Sequence, residues 1–360
     1  MNTRWMGCIY LFCSSLVLAQ PSGTAGQFGA AASVRPGSAN SQITLDVVVA
    51  DKSGKPISGL KQDEFTLLDN KQPQKIASFQ AVGGGNAAAD APVEAILLLD
   101  ALNASFASVA SERDSVVKFL GRNGGQLALP VSTVFFSGNG TTLLSEPSRD
   151  GNALIAELSK IASGLPSIRR SQGLDGARER LEISLRALQQ FADREATRPG
   201  RKLVVWISPG WPILSGPEVN LTLEAQQWIF DSIVAVSDRL RRARITLYVV
   251  DPLGLADAGG SRTEYYKEFL KPVTKVNRAQ LGNVALQVLA SQSGGLVLNS
   301  SNNLAEEIGK CVADANSSYV LSFDGLPGDG PNEFHAIEVK IGRPGLAART
   351  RAGYYAQPEP

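Results

Sequence analysis

Hydrophobic and polar positions follow three successive patterns along this chain. From residue 43 apolar side chains alternate with polar ones, Ile43, Leu45, Val47 and Val49 against Thr44 and Asp46, before the turn-forming stretch Asp51-Lys52-Ser53-Gly54-Lys55-Pro56. A period of two followed by such a cluster predicts a half-buried β-strand closed by a turn. Further strands are predicted around Phe65 and Leu67 and over 75–82, which makes 42–85 a β module of three or four strands. A module of that size buries too little surface to stand alone, so it requires a partner.

Beyond a loose stretch at 83–92 the pattern changes. Residues 93–99 are almost continuously apolar, as expected of a strand covered on both faces of a parallel sheet. Helical stripes and short apolar runs then alternate: a helix over 105–120, strands over 130–136 and 141–144, and a short helix through Leu154, Leu158 and Ile161. In the helix predicted over 174–192, Leu174, Ala177, Leu181, Leu185, Leu188 and Ala192 fall on one stripe. A strand over 202–207, a helix carrying Ile229, Ile233, Val236 and Leu240, and a strand over 245–250 come next. A helix over 281–290, a strand over 296–298 and a helix over 304–313 complete the series. Such alternation predicts an α/β domain over 92–316 with a doubly wound, mostly parallel sheet.

The tail, 317–357, returns to a period of two through Tyr319, Leu321 and Phe323, a strand over 334–341, and a last strand reaching Tyr355. Neither terminal module has enough strands alone. The expectation is that they pack together as one small β-sandwich with the α/β domain inserted between them.

Composition adds a compartment. The 360 residues are 43% hydrophobic and 19% charged, ordinary for a folded chain. Arg4 precedes an apolar run over 5–18 that closes in Val17-Leu18-Ala19, the pattern of a secretory signal peptide over 1–19. That run is short of the roughly 20 residues a bilayer span needs. Residues 20–41, rich in Gly, Ala, Ser and Pro, read as a flexible linker. The mature chain is therefore expected to be exported, periplasmic or extracellular, with no membrane span. Cys8 and Cys13 leave with the signal, so Cys311 has no partner for an internal disulfide. Losing Arg4 from 35 basic residues balances the 34 acidic ones, and electrostatic capture of nucleic acid is not expected.

Candidate chemistry lies at strand ends. In a doubly wound sheet the ligand crevice opens beyond the carboxyl ends of the strands, where Asp100, Ser208 and Asp251 stand. The order of elements, with LLLDALNAS (97–105), VVWISPG (204–210) and YVVDPLG (248–254), resembles a von Willebrand factor type A domain. More narrowly, LDVVVADKSGKPISGLKQDEFTLLDNKQPQKIASFQ, LLLDALN and EVKIGRPGLAARTRAGYYA resemble the acidobacterial von Willebrand factor A-related family, and the likeness runs over 42–356. It implies an exported adhesion or assembly protein that meets a protein or cell-surface ligand.

The same resemblance implies a metal site built from an aspartate, two serines of the first loop, a later threonine and a second aspartate. This chain keeps Asp100, but the serine positions hold Leu102 and Ala104, and Pro209 stands near the place of the second aspartate. A rebuilt site for Mg²⁺ would use Asn103 and Ser105 beside Asp100, with Ser208 or Asp251 across the crevice. The other reading has Asp100 bonding backbone amides at the strand end or capping the next helix. Scarcity of oxygen ligands favours the second. Trp211, in the loop after the fourth strand, is expected to border the crevice and contact a partner. The expected ligand-binding set is therefore Asp100, Asn103, Ser105, Ser208, Trp211 and Asp251.

His335 is the only histidine, which excludes multi-histidine metal centres. Ser208, Asp251 and His335 do occur in the chain order of an α/β-hydrolase triad, so a serine hydrolase using Ser208 is the alternative. Against it, Trp206-Ile207-Ser208-Pro209-Gly210 lacks the first glycine of a nucleophile elbow, and Pro209 has no N–H to offer an oxyanion. His335 also shares strand parity with Ile337, Val339 and Ile341, which turns it toward an apolar face. A non-catalytic chain is the expectation. Arg239, Arg241, Arg242 and Arg244 cluster at a helix end, where cations suit the dipole.

Overall fold

The first alternating segment yields four strands, β1 (Gln42–Asp51), β2 (Phe65–Asp69), β3 (Gln72–Gln74) and β4 (Ser78–Val82). The computed structural model describes residues 42–82, 93–160, 173–212, 221–252, 265–299, 301–315 and 317–359. The expected signal and linker, the helix residue Ile161 and the side chain of Leu174 lie outside them. The strand expected over 75–82 is β4, which pairs with the tail through Ser78 to Val82, and the additional short β3 before it lies in the other sheet, where Gln74 pairs with Leu67. The chain crosses between sheets at 75–77, a change of partner that an alternation pattern does not record.

The apolar runs of the middle region form one six-stranded sheet. Its strands are β5 (Val93–Asp100), β6 (Gln126–Ser137), β7 (Gly140–Asp150), β8 (Arg201–Ile207), β9 (Ile245–Val250) and β10 (Val297–Leu298), in the order β10-β9-β8-β5-β6-β7. All neighbours are parallel except β7, which runs antiparallel to β6. β7 is longer than the expected 141–144. As an edge strand with register shifts it accommodates Pro147, which a central strand would not.

A period of two operates inside the continuous apolar strands. Ile96, Leu98, Val204, Trp206 and Val249 pack with residues of α3 (Gly173–Ala196), α4 (Leu223–Arg242) and α5 (Leu286–Gln292). Ala95, Leu97, Leu99, Val205, Ile207 and Val250 pack with residues of α1 (Phe106–Leu120), α2 (Gly151–Ser159) and α6 (Leu304–Ala313). Both faces are covered, which is why no polar alternation is visible in these strands. The helix expected over 281–290 opens as a 3-10 turn, Leu281–Val284, and becomes α5 only after Ala285, whose extended backbone separates the two.

The tail supplies β11 (Ser318–Asp324), β12 (Glu333–Ile341), β13 (Leu346–Arg349) and β14 (Gly353–Ala356). They mix with the first four strands in two sheets of order β13-β1-β11-β4 and β14-β12-β2-β3. Leu45, Val47, Tyr319 and Leu321 of one sheet and Phe65, Leu67, Val339 and Tyr354 of the other share one apolar cluster. Neither terminal segment could build that core from its own strands.

At the amino end of β8 the sheet holds a buried cation. Lys202 is 2% exposed, and its ammonium donates to the carbonyls of Glu195 (2.9 Å), Ala243 (3.3 Å) and Arg198. Glu195 lies in the last turn of α3 and Ala243 caps α4, so one side chain serves the negative ends of two helices. Burial pushes the Lys202 pKa down, with Glu195 opposing. Replacing Lys202→Met would leave those carbonyls without their donor. We expect a loss on the order of 3 kcal/mol, measured as a lower urea midpoint at unchanged m-value.

Candidate functional site

Strand parity and register assemble the crest. Leu98 pairs with Trp206 and Leu99 with Ile207 in the parallel β5–β8 ladder, so continuing one step sets Asp100 beside Ser208. Ile96, Leu98 and Asp100 share one face of β5, and Val204, Trp206 and Ser208 the corresponding face of β8. This is also where the strand order reverses, with β6 on one side of β5 and β8 on the other.

Asp100 is fully buried. Its Oδ1 accepts from the backbone N–H of Leu102 (3.1 Å) and Asn103 (2.8 Å), and its Oδ2 from the Trp206 indole (3.0 Å) and the Ser208 hydroxyl (2.8 Å). The Asn103 amide donates to both oxygens, at 3.3 and 3.0 Å, and reaches Ser184 of α3 at 3.1 Å. Five donor groups thus converge on one carboxylate, which offers about four lone-pair positions. Burial nevertheless raises the Asp100 pKa above the ordinary carboxylate value, with the hydrogen bonds of Asn103, Ser208 and Trp206 opposing it.

Of the expected metal set, Asn103 and Ser208 meet Asp100, but Ser105 is engaged elsewhere. Ser105 is the N-cap of α1: its Oγ accepts the Ser108 N–H at 3.1 Å and meets the Ser108 hydroxyl at 2.6 Å. Asn103 offers N–H groups to Asp100, and Leu102 and Ala104 are buried. A hard divalent cation needs several oxygens with free lone pairs, and Asp100 has spent its own on neutral donors. These residues do not fit a resident Mg²⁺. Among the described residues no group of three or more His, Cys, Asp or Glu is arranged to hold a metal ion.

The remaining site residues are placed as follows. Ser208 is fully buried; beyond its bond to Asp100 it accepts the Gly210 N–H at 3.1 Å. Gly210 has φ +95°, and a Cβ there would sit 2.3 Å from Gln287 Nε2, so the turn after β8 requires glycine. Trp211 was expected to contact a partner, and this is corrected: it is 4% exposed and packs edge-on against Trp206 at 5.5 Å, inside the core. Asp251 is buried at the end of β9, its N–H bonded to Leu298, and it adds no donor to Asp100. Residues 253 and 254 of the YVVDPLG stretch lie outside the described residues. His335 does not approach Ser208: its Nδ1 meets Asp69 at 3.0 Å and the Tyr354 hydroxyl at 3.3 Å, between β2, β12 and β14. Trp206 and Ser184, which complete the bonding around Asp100 and Asn103, were not in the expected ligand-binding set. The shared parity of Leu98, Asp100 and Trp206 in paired strands was the available signal for the first.

No protein-family model and no curated protein matches the chain. Among solved structures it is similar to proximal thread matrix protein 1 from the mussel byssus, at 14% identity and TM-score 0.29 over 63% of this chain and 49% of that one. This chain therefore spans about half the length of the mussel protein. BatB from Bacteroides thetaiotaomicron aligns at 14% identity and TM-score 0.30 over 62% and 98% of the two chains. The VWA domain of SpRpn10 aligns at 12% and 0.28 over 61% and 94%. Likenesses at these scores carry no weight below, where the argument rests on the chain's own topology and contacts.

Asp100→Asn replaces an acceptor-only group with one that presents N–H toward existing donors. We expect a stability loss of about 3 kcal/mol. Because the folded-state pKa of Asp100 is raised, the native chain holds a proton that the unfolded chain releases. This contribution is present below the ordinary carboxylate value and is lost as pH rises through the raised one. Urea unfolding across acidic to neutral pH should show that slope in the wild type and a flatter profile in Asp100→Asn.

Proposed function

We propose that this chain is an exported, non-catalytic binding or assembly protein whose α/β part works as a von Willebrand A-like domain with a degenerate metal-ion site. The observation that carries the reading is the crest itself. The loops leaving β5 and β8 are tied to one buried carboxylate by bonds that leave no room for a cation. In this reading Asp100, Asn103, Ser208 and Trp211 are positioning residues. They hold the loops, and ligand contact falls to the more exposed Ser105, Gly210 and Pro212 around them. In this reading the terminal strands form one sandwich with the α/β part inserted between them.

Helix α4 supplies an apolar complement. It leaves from the end of the sheet that carries the crest, since it connects β8 to the parallel β9 and must run back. Leu223, 70% exposed, and Trp228, 41% exposed, lie in its amino-terminal third. Tryptophan is among the side chains from which a protein partner gains most per residue.

Two measurements test the reading. Mass spectrometry of the chain recovered outside the cytoplasm should find an amino terminus at Gln20, and an uncleaved cytoplasmic chain would contradict export. Affinity capture from the envelope fraction of producing cells should retain a partner that Trp228→Ala loses at least tenfold, with the fold unchanged by circular dichroism. Equal retention would place contact elsewhere.

A further inference from the structure

The three sheets end in β13 and β4, in β14 and β3, and in β10 and β7. An edge strand offers a row of unpaired N–H and C=O groups, and folded chains blunt it with charge, proline, irregular register, shortness or a covering element. All these edges but one are blunted. β7 carries Glu146, Pro147, Arg149 and Asp150 and shifts its register against β6. β10 has two residues, and β3 holds Pro73 between Lys71 and Lys75. On β14 the Tyr355 ring packs edge-on against Phe230 of α4 at 5.8 Å. β13 ends in Arg349, which pairs with Asp314 and donates to the Gly294 carbonyl.

The exception is β4. Its five residues, Ser78-Phe79-Gln80-Ala81-Val82, include no charge and no proline, and its register runs unbroken from Ser78 opposite Ser322 to Val82 opposite Ser318. Among the described residues no strand pairs with its outer side. The sandwich is open along the same line. Phe79 turns inward, its ring 5.2 Å from Phe65 and 5.9 Å from Tyr319. Ala81 shares that parity and is nevertheless exposed, because nothing large stands beside it. The chemistry that satisfies such an edge is one more extended strand with a bulky side chain over Ala81.

We propose that β4 pairs antiparallel with β4 of a second copy of this chain, joining two four-stranded sheets across a two-fold axis at Gln80. The strand is complementary to itself in three respects. A charge near a two-fold axis meets its own sign, and this edge has none. On the inner face the axis sets Phe79 opposite Ala81 of the partner subunit, large against small. On the outer face Gln80 meets Gln80 of the partner subunit, and a primary amide both donates and accepts. Five residues make a small interface, so the dimer forms in step with concentration rather than permanently. The edge is built from other elements than the crest and α4, and it stands or falls separately from partner capture through Trp228.

The test is sedimentation equilibrium of the full mature chain over a range of concentrations, with Gln80→Lys and Gln80→Glu alongside. Gln80 is exposed, so neither substitution disturbs the core. The wild type is expected to dimerise, and each variant alone to do so at least about tenfold more weakly, since like charges then face each other. An equimolar mixture of the two variants is expected to regain the wild-type strength. Hydrogen exchange on the wild type reads the same edge without any substitution, and amides over 78–82 should gain protection as concentration rises. A wild type that stays monomeric, a dimer undiminished in both variants, a mixture no stronger than its components, or exchange over 78–82 that ignores concentration overturns the proposal.

Discussion

Burying a carboxylate at the centre of a sheet fixes what the surrounding loops can do. Asp100 stands at the last position of β5, fully enclosed, and a group so placed must be surrounded by donors or be neutralised. The chain surrounds it with two backbone amides from its own loop, an amide side chain, an indole and a hydroxyl. Together the bonds tie two segments of backbone, the first loop and the end of β8, to the same atom pair. The first loop cannot open without exposing Asp100 to a deficit of donors, and the β8 loop cannot shift without withdrawing Ser208. Rigidity of the crest is thus a consequence of desolvation, and a divalent cation is not needed to order it.

The opposite end of the same two strands carries the complementary charge. Lys202 is on the Trp206 side of β8 and binds carbonyls at the ends of α3 and after α4, while Glu94 of β5 accepts from Ser132 at 2.6 Å and pairs with Arg198 at 2.7 Å. Helices on one face are therefore held at their carboxyl ends by charge and along their length by the apolar cluster. The tail then binds this body to the terminal sheets. Arg349 of β13 pairs with Asp314, which also accepts from Tyr248 at 2.7 Å, and the Tyr355 hydroxyl reaches the Val273 carbonyl at 2.9 Å. Removing the last strands would strip contacts from both parts at once.

Much of this was legible in the sequence where the signal is local. The alternation at 43–49 and 319–323, the continuous run at 93–99 and the stripe through Leu181, Leu185 and Leu188 each correspond to elements in the structure. The backbone-amide reading of Asp100 needed only the polar strand end and the next residues, and it describes the contacts of Leu102 and Asn103. What depends on distant pairing was not legible. Trp206 is a core residue, and nothing in its own neighbourhood shows that its indole N–H meets an acid 106 positions earlier. Trp211 misled because a loop tryptophan beside proline reads as surface, whereas the turn at Gly210 folds it back onto Trp206. The pairing of His335 with Asp69 likewise requires the assembled sheets.

Whether Asp100 is satisfied from within is the claim on which the account of the crest turns. Isothermal titration calorimetry of the mature chain with Mg²⁺, Mn²⁺ and Ca²⁺, alongside Asp100→Ala, addresses it directly. The account predicts no saturable heat from any of the three ions in either protein. Saturable binding to the wild type that disappears in Asp100→Ala would contradict it and restore a metal to the crevice.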